Sequence, residues 1–174
     1  MRIYFEVAVL ALSLLLASCG RPPAPSAQSA SEASDLTPRS MLDMGDPSVD
    51  AWIIADVSRG PNSAPWRWTG QRPMVRVRPA STTPNTKLHV EFTVADATFK
   101  DTGPVTIAFL VNDHPLDKVR YAEAGSKKFE KVIPAGWLRP GEENALAADI
   151  DKVWISPRDG AKLGIILSKI GLVD

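Results

Sequence analysis

From about Trp52 to the end of the chain, apolar and polar residues alternate in short runs with a period of two. Leu88, Val90, Phe92 and Val94 are separated by His89, Glu91 and Thr93, the pattern of a strand with one face in a core and the other toward water. Val105, Ile107, Phe109 and Val111 repeat the spacing with Thr106, Ala108 and Leu110 between them. Little on that second face is strongly polar, so this strand is expected to be buried on both sides. Val75 and Val77 alternate with Arg76 and Arg78. A last run holds Leu163, Ile165, Leu167 and Ile170, with Gly164 and Gly171 among them. Glycine in such a pattern disfavours a helix and points to a bulge or a close backbone approach.

Turn residues separate the runs. Asn112-Asp113-His114-Pro115 suits a hairpin, Pro140 to Asn144 a longer loop and Pro157-Arg158-Asp159-Gly160 a tight turn. No segment has the 3.6-residue period of an amphipathic helix; Pro134 to Leu138 suits one helical turn at most. Seven to eight strands at this spacing predict an all-β fold, an antiparallel two-sheet β-sandwich of jelly-roll type.

A resemblance supports that fold. Trp66-Arg67-Trp68-Thr69 is followed by an alternating strand, then by Phe109-Leu110-Val111-Asn112-Asp113-His114 and Ile133-Pro134 to Trp137-Leu138. Asn144 to Ile150 comes next, and Lys162-Leu163-Gly164-Ile165 with Ile170-Gly171-Leu172 closes the series. This succession is similar to the small jelly-roll modules at the ends of some bacterial glycosyltransferases and to galactose-binding-like sandwiches. It covers about Trp52 to Val173. The resemblance implies a module that binds sugar or serves as a spacer. Asp113 stands where such hairpins often have glycine.

The first residues read differently. Arg2 is followed by an apolar run from Val7 to Ala17, within the ~7–15 residues of a signal-peptide core and short of the ~20 a spanning helix needs. Leu16-Ala17-Ser18-Cys19 follows, and Cys19 is the single cysteine of the chain. These four residues resemble the lipobox of bacterial lipoproteins. The resemblance implies cleavage after residue 18, a diacylglyceryl group on the Cys19 thiol, and acylation of the new amino terminus. Several acyl chains together anchor a protein stably where one does so only marginally. Gly20 in place of Asp implies, by the same resemblance, the outer membrane of a Gram-negative envelope. Glu6 is an acidic departure from the usual leader.

The expected organisation is therefore a signal peptide over 1–18, a lipidated cysteine and tether over 19–38, and a sandwich domain over 39–174. The tether is rich in Pro, Ala and Ser and has no aromatic residue; it cannot offset its ordering entropy by burial. Among 174 residues there are 20 Lys and Arg against 20 Asp and Glu, and losing Arg2 and Glu6 with the leader keeps the balance. A chain without basic excess lacks the electrostatic footprint of a nucleic-acid binder. One cysteine excludes an intramolecular disulfide and a multi-cysteine zinc site.

No GxSxG, HExxH or phosphate-binding glycine loop is present, and a lipidated Cys19 is no nucleophile. Neither a cofactor nor a metal is called for. His89 is expected on the outward face of its strand and His114 in a turn, both as surface polar residues. Asp149 and Asp151 form a D-x-D, too common a pattern to define a calcium site by itself.

The candidate ligand-binding residues are Trp66, Trp68, Arg67, Arg76 and Arg78. Trp66 and Trp68, two apart, share one strand face. Exposed, they would form a flat platform for the apolar face of a sugar ring; buried, they would be core. Arg67, Arg72, Arg76 and Arg78 fall within a dozen residues and suit either anionic groups or a solvated edge. Two readings follow. The protein is a lipid-anchored, non-enzymatic envelope protein whose domain binds carbohydrate, or one whose domain docks another envelope protein.

Overall fold

Alternation in the chain becomes two layers of antiparallel strands in the computed structural model, which describes residues 37–60 and 64–174. In chain order the strands are β1 (Met41–Asp43), β2 (Ile53–Val57), β3 (Arg67–Val77), β4 (Lys87–Val94), β5 (Val105–Val111) and β6 (His114–Tyr121). They continue as β7 (Gly125–Val132), β8 (Asn144–Ile150), β9 (Trp154–Ile155), β10 (Lys162–Leu163) and β11 (Ile166–Val173). One layer runs β6-β5-β8-β3-β2, and the other places β11 between β4 and β1, with β7 outside β4. β3 belongs to both. Its first residues, Arg67 and Trp68, pair with Leu167 and Ile166 of β11, and the rest pairs with β2 and β8. The layers are thus hydrogen-bonded along one side, and the sheet curls nearly into a barrel.

The fold is all-β, as the alternation predicts. Nine strands form the main sheet rather than seven or eight, with β9 and β10 as a separate ribbon. β1 has three residues and the register of β2 shifts twice, so neither is long enough to show a period. Two short helical segments among the described residues also escape the pattern: a 3-10 segment over Pro47–Trp52, and α1 (Asp96–Thr102), stopped by Gly103 at φ 64, whose N–H bonds Phe99 O at 2.8 Å. Trp154 Nε1 donates to Asp101 Oδ2 at 2.6 Å and ties this helix to β9. Pro134 to Leu138 is a turn, closed by Trp137 N to Pro134 O at 3.3 Å.

The core lies between the layers. Leu88, Val90, Phe92 and Val94 of β4 face Val105, Ile107, Phe109 and Val111 of β5, all buried. Phe109 stacks on Phe129 at 3.8 Å between centroids, and Phe92 meets Tyr121 edge-on at 5.2 Å. Glycine does what the pattern asks: a Cβ on Gly164 would stand 2.3 Å from Gly70 O, and one on Gly171 2.3 Å from Ser40 O. β11 also shifts register between Leu167 and Lys169. Asn112 and Asp113, at φ 48 and 62, form the two-residue turn joining Val111 to His114, the type I′ geometry that matches strand twist. On β5 the second face is buried only at Leu110; Thr106 and Ala108 are half-buried there.

The free edges are blunted. β7 has Lys127, Lys128 and Lys131, β6 has Pro115, and β2 is broken by Asp56 at φ 53. Such features oppose strand addition by another chain.

Candidate functional site

Strand pairing places a consistent set of side chains on the outer face of the five-stranded layer. Across it, Asp149 pairs with Ala108 and Ala108 with Lys118, while Ala147 pairs with Met74 and Leu110. Alanine at the centre and long charged side chains toward the rim leave a depression of about 580 Å³. Arg72, Gln71 and Lys118 bring donors to it, and Asp149, Asp151 and Asp56 bring carboxylates. Asp56 is held to the sheet by the Arg72 backbone N–H at 2.9 Å, and Asp151 Oδ1 accepts the Thr106 N–H at 2.7 Å.

Arg72 spans this surface. Its Nε is 3.4 Å from Asp149 and its Nη2 3.3 Å from Asp113 on the β5–β6 turn. Beyond it on the same face is a second depression of about 330 Å³, lined by Ile54, Arg76, Asp113, Arg139 and Glu143. Arg76 Nη1 lies 3.4 and 3.5 Å from the two Glu143 oxygens. Its Nε is buried with no acceptor. The wall beneath is fixed by two asparagines. Asn112 Nδ2 donates to Trp137 O at 2.7 Å and Asn144 Oδ1 at 2.9 Å, and Asn144 Nδ2 donates to Arg139 O and Glu142 O. The loop after β7 is thereby stapled to the β5–β6 hairpin.

The five candidate ligand residues separate into different environments. Trp68 lies on the outer face of the other layer, in a row with Ile166, Thr93 and Ser126. Trp66 is 37% exposed, and the two indoles meet edge-on, 6.4 Å apart at 85°. They present no common plane, so the flat platform does not form. Arg67 is a correction: it is 1% exposed and points inward. Its Nε donates to Met44 O at 3.0 Å, its Nη1 donates to Ser58 O at 2.9 Å, and it pairs with Asp50. A guanidinium committed to these acceptors is structural. Arg76 lines the second depression. Arg78 exchanges backbone bonds with Arg39 at 2.8 and 2.9 Å at the sheet margin.

Cys19 and its lipobox lie outside the described residues. His89 is on the outward face of β4 but is buried rather than exposed. Glu130 and Glu91 reach its two ring nitrogens at 2.8 and 3.0 Å and cover it. Hydrogen bonds from His89 and then Lys128 hold the Glu130 carboxyl below its ordinary range. His114 is exposed, its ring 5.0 Å from that of Trp137. Among the described residues no three His, Cys, Asp or Glu side chains gather as a metal site. Sequence reasoning passed over Gln71 and Lys118, grouped Arg72 with its neighbours, and read Asp149 only as part of a D-x-D.

No protein family and no curated protein matches the chain. Among solved structures, it is similar to an exo-β-1,3-galactanase from Phanerochaete chrysosporium with bound β-1,3-galactotriose, with TM-score 0.38 and 11% identity over 79% of this chain and 29% of that one. It is also similar to a family GH115 4-O-methyl-α-glucuronidase with specificity for decorated arabinogalactans, with TM-score 0.44 and 9% identity. That likeness covers 80% of this chain and 18% of the enzyme. The chain thus spans less than a third of either protein, and neither likeness bears on its chemistry.

Proposed function

We propose that this protein is a lipid-anchored lipoprotein of the bacterial envelope whose sandwich is a non-catalytic module binding carbohydrate on the outer face of its five-stranded layer. The observation behind this reading is the depression of about 580 Å³, where donors of Arg72, Gln71 and Lys118 stand opposite carboxylates of Asp149 and Asp151. Each hydroxyl of a sugar both donates and accepts, so a mixed rim of donors and acceptors suits it. An apolar ligand would strip water from the Lys118 ammonium and from the carboxylate oxygens not already engaged by the protein. The low floor at Ala108 lets a ring approach the sheet.

Catalysis is not part of the proposal. A glycosidase needs two carboxylates flanking one bond, one of them free to protonate the leaving oxygen. Here Asp151 is engaged by the Thr106 backbone and Asp149 faces Arg72. Blunted edges also argue against docking a partner by strand addition. The likeness to glycosyltransferase-end modules belongs to the same reading, as does the outer-membrane address implied by Gly20.

Two experiments test it. Full-length protein in detergent micelles, titrated calorimetrically with envelope and plant oligosaccharides, is expected to give saturable binding that Lys118→Ala and Asp149→Ala weaken while circular dichroism stays unchanged. Cys19→Ala is expected to abolish palmitate labelling and release the protein from membranes; unchanged fractionation would end the lipid assignment.

A further inference from the structure

The two depressions lie on one face of β8, one at Asp149 and the other at Ala145. Four residue steps along the strand separate them, about 13 Å. Between them stands Arg72, held by two ion pairs of 3.3 and 3.4 Å whose partners are all at least 47% exposed. Exposed pairs of that length contribute little, so a ligand displaces them at small cost and joins the depressions into one groove.

Resting on the carbohydrate reading above, we propose that this groove takes an acidic oligosaccharide and that Arg76 receives a sugar carboxylate. The state of Arg76 is the reason. Its contacts to Glu143, at 3.4 and 3.5 Å, are longer than a good charge-assisted bond, roughly 2.7–2.9 Å. Its Nε–H is buried in the resting arrangement and meets no acceptor there, although a guanidinium is built to give two parallel bonds to one carboxylate. The resting arrangement therefore leaves donor capacity unused. A ligand carboxylate takes the place of Glu143, the guanidinium turns to meet it with two donors, and Glu143, already 37% exposed, turns to water. Arg139, in the same lining and 59% exposed, is held by an exposed ion pair with Glu142 at 3.6 Å, the kind of contact that an incoming carboxylate displaces at small cost. Ile54, 40% exposed in the same wall, offers an apolar flank for ring C–H groups. Hydroxyl recognition at Asp149 and Lys118 then sets where the oligosaccharide lies, and Arg76 selects for charge.

The test uses full-length protein in detergent and two uronic-acid tetrasaccharides, one α-linked and one β-linked, each also as its methyl ester. For at least one linkage the acid is expected to bind roughly tenfold more tightly than the ester, the worth of one charged hydrogen-bonded pair. Arg76→Gln should remove the acid's advantage, bringing the ratio of acid to ester affinity close to one. Glu143→Gln, which removes the resting partner, should tighten the acid only. Equal binding of acid and ester, or a preference that survives Arg76→Gln, overturns the carboxylate assignment while the carbohydrate reading stands. If neither form binds, and no neutral oligosaccharide binds either, both fall together.

Discussion

Replacing Arg67 with methionine asks whether a buried guanidinium closes one end of the sandwich. Methionine fills the space of the aliphatic stem and removes the charge, so the lost quantity is the polar part. Arg67 supplies Met44 O at 3.0 Å, Ser58 O at 2.9 Å and the Asp50 carboxylate, and is 1% exposed. Breaking a buried pair costs about 3–5 kcal/mol when the remaining charge is trapped. Asp50 is not trapped, with its side chain 36% exposed, which brings the figure to the lower end. Two backbone carbonyls also lose their charged donor. The expected loss is about 3 kcal/mol, or a fall in Tm of roughly 10 °C. Urea unfolding followed by tryptophan fluorescence reads it directly, since Trp66 and Trp68 flank the site. Arg67→Lys should recover only part, because an ammonium cannot reach several separated acceptors as a planar fork does. A loss below about 1 kcal/mol for the methionine variant would refute the structural role. Oligosaccharide affinity should be the same in both variants, since Arg67 lies away from the groove.

Three further outcomes follow from the geometry. Asp113 sits at φ 62 in a tight turn, so Asp113→Gly should unfold at the same or a higher urea concentration, while the β-branched Asp113→Val should lose about 1–2 kcal/mol. Gly164→Ala should cost at least about 1–3 kcal/mol in the same assay, because the new Cβ would stand 2.3 Å from a backbone oxygen. Acid should destabilise the domain in a definite window. Ser48, through its hydroxyl and its N–H, and then Arg39 hold the Asp46 carboxyl down at about 2, against 3.8 when unfolded. The Gly60 N–H and then Arg67 lower Asp50 in the same direction. Above pH 3.8 these contributions are complete; as pH falls toward 2 the unfolded chain takes up protons first and stability drops. Asp46→Asn should make that decline shallower in unfolding curves measured between those pH values, and an unchanged slope would count against the assignment.

What the sequence revealed depended on how local each feature is. β4 and β5 are long enough for a period of two to show, and Gly164 and Gly171 mark close approaches through glycine's own geometry. β1, β2 and α1 are too short to carry a period. Arg67, a charged residue between two tryptophans, reads as outward in the sequence. At the start of β3, however, the inward direction meets the carbonyls of Met44 and Ser58 rather than apolar side chains. The spacing of Trp66 and Trp68 was legible, but the 85° between their rings is set by rotamers and packing. His89 looks exposed in the sequence because its cover, Glu130, comes from a neighbouring strand 41 positions away. The groove was least legible. Its wall residues, such as Arg72, Lys118 and Asp149, come from three strands, and only the pairing order brings them to one face. Arg76 was the exception, visible as part of an arginine cluster.

The central claim is that the outer face of the five-stranded layer is a carbohydrate-binding surface. Calorimetric titration of the full-length protein with an oligosaccharide panel, run beside Asp149→Ala and Lys118→Ala, tests it most directly. Saturable binding that both substitutions weaken by roughly tenfold or more, with the fold intact, is the expected result. Binding that ignores both substitutions but is lost in Trp66→Ala, or no heat with any sugar, would contradict it.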